Sequence, residues 1–314
     1  MASNLTVAAL RAMSRTEANR DMQKTPMTKS ELPVKKLIVA GGVILAGVIA
    51  ALICYARGGF GSEISIEKRP MILAKKMIAG EFQSTTGKDV LPYRLFVPEM
   101  LDKQKQYPLV VWLHGAGGRG NDNVSQLDDG VGAFMSYEVQ RHQPAFILVP
   151  QCPDGHQWVE TGDAGPPYVN YEIDAVPESV WFEMLFRLIG ELDAKYPIDD
   201  DRRYVSGFSM GAAGVWDIIT RHPDYFAAAM PISGKGDPSK ADRLVGMPIW
   251  TFHGKFDPIA PIENTRSLSR AIDTAGGTLK VTELWRKHYI VDYVFKDFAP
   301  FRWLFQQKKG GHRQ

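Results

Sequence analysis

The first feature of this chain with chemical consequence is a serine set between two glycines. Gly207-Phe208-Ser209-Met210-Gly211 has the G-x-S-x-G spacing, in which small flanking residues let a strand and a helix approach closely around a serine at a sharp turn. The neighbouring residues agree. Tyr204-Val205-Ser206 reads as a short buried strand, and from Met210 through Ile219 apolar residues recur at helical spacing. A serine at that corner is exposed and stands at a helix N-terminus, where unspent N–H groups favour a developing negative charge. The chemistry suggested is nucleophilic attack on a carbonyl, with the oxyanion held by backbone amides.

A serine hydroxyl is a poor nucleophile at neutral pH, so it needs a histidine in hydrogen-bond reach and an acid that orients the imidazole. Asp257 lies on a loop beyond a late strand, in His253-Gly254-Lys255-Phe256-Asp257-Pro258. It suits the acid, and the same position also suits a turn aspartate that caps the helix beginning near Ile262. Seven histidines compete for the base. With the chain order Ser, acid, His, only His288 and His312 lie beyond Asp257, and His312 sits in the Lys-Lys-Gly-Gly tail. His288 is therefore the candidate; the basic company of Arg286 and Lys287 also fits a surface histidine. His253 reads instead as a buried residue that hydrogen-bonds the acid loop.

For the oxyanion, His114-Gly115-Ala116-Gly117-Gly118-Arg119-Gly120 follows a central strand as an HGGG-type loop does, and with the Met210 N–H it would form a hole. It lacks the Gly-Lys-Ser/Thr ending of a phosphate loop and the spacing of a dinucleotide fingerprint. No compact His/Asp/Glu cluster has metal-ligand spacing, and Cys54 and Cys152 are the two cysteines. No metal, cofactor or disulfide framework is expected.

The elements that must position these residues follow an α/β pattern. Apolar runs at 91–97, 108–113, 145–149, 204–206, 227–232, 248–252 and 279–284 read as strands, the second of them buried on both faces. Helices are expected over 180–192 and 262–275, the latter ending at Gly276-Gly277. The order predicts a mainly parallel, doubly wound sheet of about eight strands.

Upstream, residues 1–36 read as a flexible basic cytoplasmic tail. Residues 37–54 carry no charge, and at about 1.5 Å per residue they nearly match a bilayer core of about 30 Å. A single-pass signal anchor over 37–56 is expected, with the basic flank inside and the following domain outside the cytoplasm. Cys54-Tyr55-Ala56 also resembles a cleavage site, which would release the domain as a secreted protein. Residues 57–78 read as a linker, 79–308 as the catalytic domain and 309–314 as a tail. A net charge of +2, with no lysine or arginine run in the domain, gives no sign of nucleic-acid binding.

Together these parts resemble the α/β-hydrolase superfamily, and within it the secreted carboxylesterase, feruloyl-esterase-like and "predicted peptidase" group. The resemblance is carried by Trp112-Leu113-His114-Gly115-Ala116-Gly117, Asn121-Asp122-Asn123, Val149-Pro150-Gln151-Cys152-Pro153, Pro231-Ile232-Ser233-Gly234, residues 203–211 and residues 248–257. It implies Ser209 as nucleophile, Asp257 as acid and His288 as base, with Ala116 and Met210 donating backbone N–H groups to the oxyanion. Trp158 is implied as a wall of the acyl pocket. The chain departs from the pattern at Lys287, where a glycine is usual, and after His288, where Ile290 or Tyr293 replaces a tryptophan. The function implied is hydrolysis of a small-molecule ester through an acyl-enzyme. A peptidase of the same fold and a noncatalytic binding module are the alternatives, and oligomeric state is open.

Overall fold

Among the described residues eight strands form one sheet: β1 (Ile78–Gln83), β2 (Val90–Phe96), β3 (Tyr107–Leu113), β4 (Phe146–Pro150), β5 (Ile198–Phe208), β6 (Ala228–Ile232), β7 (Trp250–Gly254) and β8 (Lys280–Leu284). Their order across the sheet is β1-β2-β4-β3-β5-β6-β7-β8. The pairs β1–β2 and β2–β4 are antiparallel, and every pairing from β4–β3 to β7–β8 is parallel. This is the mostly parallel sheet of the α/β-hydrolase fold. The computed structural model describes residues 68–310 apart from 103, 128–129 and 162–171, all within the compact unit Gly61–Gln314. The expected cytoplasmic tail and the apolar run 37–54 lie outside the described residues. Among the described residues no helix is long and apolar enough to cross a membrane.

Among the described residues eight α-helices accompany the sheet: α1 (Pro70–Ala74), α2 (Val131–Phe134), α3 (Tyr137–His142), α4 (Val180–Lys195), α5 (Met210–Arg221), α6 (Glu263–Thr274), α7 (Val291–Val294) and α8 (Ala299–Phe305). Side chains alternate across a strand, so the buried central strands feed two cores. Leu109, Val111 and Leu113 of β3 and Leu148 of β4 join Trp181, Leu185, Val215, Ile218 and Leu268 from α4, α5 and α6. Val110, Trp112, Ile147 and Val149 join Phe134, Val139, Phe295, Phe301 and Leu304 on the other face. Each such side chain contributes about 1.5–3 kcal/mol on burial. The stiff central strands are thereby held between two layers, and their C-terminal ends become a fixed frame for loops.

Local chemistry places the helix ends. Ser179 caps α4 by accepting the Trp181 N–H, and Ser136 caps α3 by accepting that of Val139. Past α6, Gly276 takes φ +87° and the Gly277 N–H returns to the Ile272 carbonyl, a glycine stop of the kind expected there.

Two boundaries differ from expectation. The stretch read as linker contains α1, and Leu73, Ala74 and Met77 are buried in the second core, so the domain begins before residue 79. The segment is too short and too rich in lysine to show a period. Strand β5 starts at Ile198, six residues before the run recognised as strand. Its acidic beginning resembles a loop, but it is tied down by Arg202 to Asp199 at 2.6 Å, by Arg203 to Asp193 at 2.6 Å and by an Arg203–Asp200 pair.

Candidate active site

The turn from β5 to α5 shows why glycines flank the serine. A Cβ on Gly211 would sit 1.9 Å from the Leu113 carbonyl oxygen, and one on Gly207 2.7 Å from the same atom and 2.8 Å from the Gly211 carbonyl carbon. Any side chain at either position would drive α5 away from β3. Ser209 itself takes φ 56° and ψ −115°, a conformation that costs a residue with a Cβ on the order of 1–3 kcal/mol. The surrounding structure enforces it: the Ser209 N–H donates to the Ile232 carbonyl at 2.9 Å and its carbonyl accepts the Ala213 N–H at 3.0 Å.

Asp257 and His288 reach this serine from loops that are fastened together. The Lys255 N–H donates to the Leu284 carbonyl at 2.8 Å and the Phe256 N–H to the Arg286 carbonyl at 3.0 Å. The contact is close enough that a Cβ on Gly254 would meet the Lys287 carbonyl oxygen at 2.1 Å. His288 Nδ1 then lies 2.7 Å from Asp257 Oδ2, and its Nε2 lies 2.8 Å from Ser209 Oγ. A carboxylate only accepts, so the ring proton is on Nδ1. Nε2 is left bare and accepts the serine hydroxyl. The sequence-expected serine, acid and histidine are thus brought into one hydrogen-bonded chain.

The acid is heavily supported. Its Oδ1 accepts the Ile259 and Ala260 N–H groups, each at 2.9 Å. Burial acts first and would raise the carboxyl. Hydrogen bonds from His253, His288 and these two amides outweigh it and hold Asp257 well below the usual carboxylate range. His253 is fully buried, with Nε2 2.7 Å from the Ala260 carbonyl and Nδ1 2.7 Å from Thr265 Oγ1. A carbonyl cannot donate, so the Nε2 proton points to Ala260, with Asp257 Oδ2 a longer second contact at 3.4 Å. His253 therefore braces the acid loop, as its sequence position suggested.

Ala116 begins a single 3-10 turn at the C-terminal end of β3, and Met210 is the first residue of α5. Amides at such positions have no intrahelical acceptor. Beneath the loop, Asp122 accepts from the Val124 and Ser125 amides at 3.0 Å and from Gln151 Nε2 at 2.8 Å. Gln151 also donates to the Gly118 carbonyl at 3.1 Å and accepts the Asn123 N–H at 2.7 Å. The Asn-Asp-Asn and Pro-Gln-Cys-Pro segments are the scaffold of the glycine loop.

Trp158 requires a correction. Its side chain is fully buried, its Nε1–H donates to the His114 carbonyl at 3.1 Å, and it stacks on Phe182 with an interplanar angle of 8°. It supports the glycine loop from behind and cannot line a pocket open to substrate. Nearer the serine stand Phe208 and Tyr289, whose rings are 5.4 Å apart, with Phe208 5.0 Å from the His288 ring. Phe256 and Trp285 pair on the two fastened loops at 5.6 Å and are exposed.

Ser233 belongs to a segment that carries the resemblance, but its part in the site does not follow from the sequence. It follows β6 at φ 53°, and its Oγ–H donates to the His288 carbonyl at 3.0 Å. The only signal is a strand running into Ser-Gly, a weaker form of the pattern at Ser209. Among the described residues no group of three or more His, Cys, Asp or Glu gathers where it could hold a metal. Cys152 is buried and unpaired to sulfur, and burial pushes its thiol far up.

Comparison with known proteins bears on the family and the fold. A family model described as "Putative esterase" matches residues 84–285. The chain is 26% identical over 184 residues to the Probable feruloyl esterase C of Aspergillus terreus, covering 58% of this chain and 59% of that protein. It is 20% identical over 229 residues to an uncharacterized secreted protein of Arthroderma benhamiae, covering 63% of this chain and 23% of the other. Among solved structures, a thermostable esterase superposes with a TM-score of 0.69 at 35% identity, over 76% of this chain and 64% of that one. The chain thus spans about three fifths of the length of the feruloyl esterase and of the thermostable esterase. With its eight-stranded sheet and matching family model, the chain belongs to the esterase family of α/β-hydrolase, carboxylesterase-like proteins.

Proposed function

We propose that this protein is a serine hydrolase that cleaves carboxylic esters through an acyl-enzyme. One observation carries the reading: Ser209, His288 and Asp257 form an unbroken hydrogen-bond chain, with the carboxylate on Nδ1 and the serine hydroxyl on Nε2. Ser209 Oγ attacks the ester carbonyl carbon while its proton passes to His288 Nε2, and Asp257 stabilises the imidazolium. The carbonyl oxygen, now negative, is received by the Ala116 and Met210 amides, each worth about 10²–10³ in rate. The C–O bond to the alcohol breaks, and the alcohol leaves with the proton from Nε2. Water then repeats the sequence on the acyl-serine and releases the acid.

The similarity to a feruloyl esterase and to a thermostable esterase favours esters over amides. An amide-cleaving peptidase would use the same three side chains, so the assay sets p-nitrophenyl and feruloyl esters beside a peptide panel. A fluorophosphonate is expected to label the protein, and Ser209→Ala to abolish both labelling and turnover, a loss of about 10⁴-fold or more in kcat. A wild type that takes no label supports the noncatalytic binding module instead.

Residues 37–56 are read as a signal anchor with the hydrolase domain outside the cytoplasm. The uncharged apolar run and the lysines and arginines that precede it support this. In membrane fractionation the full chain is expected to resist alkaline extraction and its domain to be digested by external protease. Release into the soluble fraction would overturn the anchor.

A further inference from the structure

His114 sits just before the amide assigned to the oxyanion, is 1% exposed, and takes no direct part in the chemistry above. Its two ring nitrogens are both committed. Nε2 lies 3.0 Å from the Cys152 N–H, a group that can only donate, so Nε2 carries no proton. The proton is therefore on Nδ1, which donates to the Gly115 carbonyl at 2.6 Å. That carbonyl belongs to the peptide whose N–H is the Ala116 amide. In a trans peptide the C=O and N–H point in opposite directions, so fixing one aims the other.

We propose that His114 is the positioning residue of the oxyanion site: by holding the Gly115 carbonyl on one side of the peptide plane, its imidazole turns the Ala116 N–H toward the substrate. This rests on the assignment of Ala116 and Ser209 above.

The ring is itself locked. The Trp158 indole lies edge-on at 5.2 Å and its N–H holds the His114 carbonyl. The loop folds back over the imidazole so closely that a Cβ on Gly118 would stand 2.6 Å from Nδ1. The Gly118 N–H adds a second hydrogen bond to the Gly115 carbonyl at 3.0 Å. Burial keeps the imidazole neutral, with its pKa down at about 4, so the acceptor nitrogen stays available at working pH. A histidine that merely filled space would not need a donor and an acceptor fixed in this sense.

The experiment compares full-length wild type, His114→Phe and His114→Asn. The phenylalanine keeps the ring and removes both hydrogen bonds. The asparagine keeps an N–H where Nδ1 stands. For His114→Phe, kcat is expected to fall about 100-fold with KM changed less than about threefold, because the amide acts on the transition state. Affinity for a boronate that mimics the tetrahedral intermediate should fall in parallel, and His114→Asn should recover at least tenfold of the lost kcat. A folded His114→Phe that turns over at the wild-type rate overturns the proposal, as does a loss confined to KM. Should neither variant fold, long-range ¹H–¹⁵N NMR of the wild-type ring decides: a proton on Nδ1 upholds it and one on Nε2 removes it. Activity persisting in Ser209→Ala would instead overturn the underlying catalytic reading.

Discussion

Two adjacent parallel strands, β5 and β6, each run into a serine with positive φ, 56° at Ser209 and 53° at Ser233. Each serine sends its N–H to the next strand, Ser209 to the Ile232 carbonyl at the end of β6 and Ser233 to the Phe252 carbonyl in the middle of β7, both at 2.9 Å. Up to that point the two turns repeat one device. They diverge past the serine: Ser209 opens α5, with its hydroxyl on the His288 ring, whereas Ser233 continues into Gly234-Lys235-Gly236 with its hydroxyl on the His288 main chain. One serine meets the imidazole where a proton can move, and the other holds the same residue by its backbone. A strained strand end is thus a way of aiming a hydroxyl, at a ring nitrogen in one turn and at a main-chain carbonyl in the other.

Removing each hydroxyl in turn separates the two turns most clearly. Ser209→Ala should eliminate turnover, whereas Ser233→Ala should lower kcat only about tenfold and leave fluorophosphonate labelling intact, since one hydrogen bond of about 1 kcal/mol is lost behind the ring. Equal losses in the two variants would place Ser233 in the chemistry and erase the distinction.

A smaller effect concerns the acid that holds His288 between the two serines. Because the folded-state carboxyl of Asp257 titrates below its ordinary value of 3.8, its stabilising contribution is whole above that pH and is lost as pH falls through the folded value. Denaturant unfolding of wild type and Asp257→Asn should therefore differ by a constant amount from pH 5 to pH 7 and converge as the pH drops below about 3.8. A gap that closes already near pH 6 would show that the carboxylate is not supported as described.

The smallest effect tests the strain itself. Ser209→Gly and Ser209→Ala should be equally inactive, but the glycine variant should be about 1 kcal/mol more stable, since only the alanine keeps a Cβ at this φ and ψ. Equal unfolding midpoints would mean the turn costs nothing.

Much of this arrangement could be read beforehand. Strands 107–113 and 146–150 announce themselves as unbroken apolar runs, because a strand covered on both faces has no polar side to interrupt it. Other features hide for physical reasons. The first half of β5 is aspartate and arginine, and the ties that hold it as a strand reach across the fold, from Ile198 to Tyr107 of β3, from Arg202 to the Gln106 carbonyl and from the Lys309 N–H to the Asp201 carbonyl. The strand running into Ser233-Gly234 marks a turn but not its role, because the partner of the hydroxyl lies 55 positions away. Trp158 reads as a site residue beside the Pro-Gln-Cys-Pro segment, yet Gly214 and Phe182 close over it and turn it inward.

By itself the sequence determined the serine turn, since glycines on both sides of Ser209 are a local covalent condition for two backbones to approach that closely. It also determined the strand rhythm and the order of serine, acid and histidine. Which face of Trp158 is covered, that Leu73, Ala74 and Met77 join the core, and how the loops after β7 and β8 lock were settled by the folded chain. Those outcomes depend on contacts between segments far apart in the chain, and no local preference encodes such a contact until the sheet has brought its strand ends together.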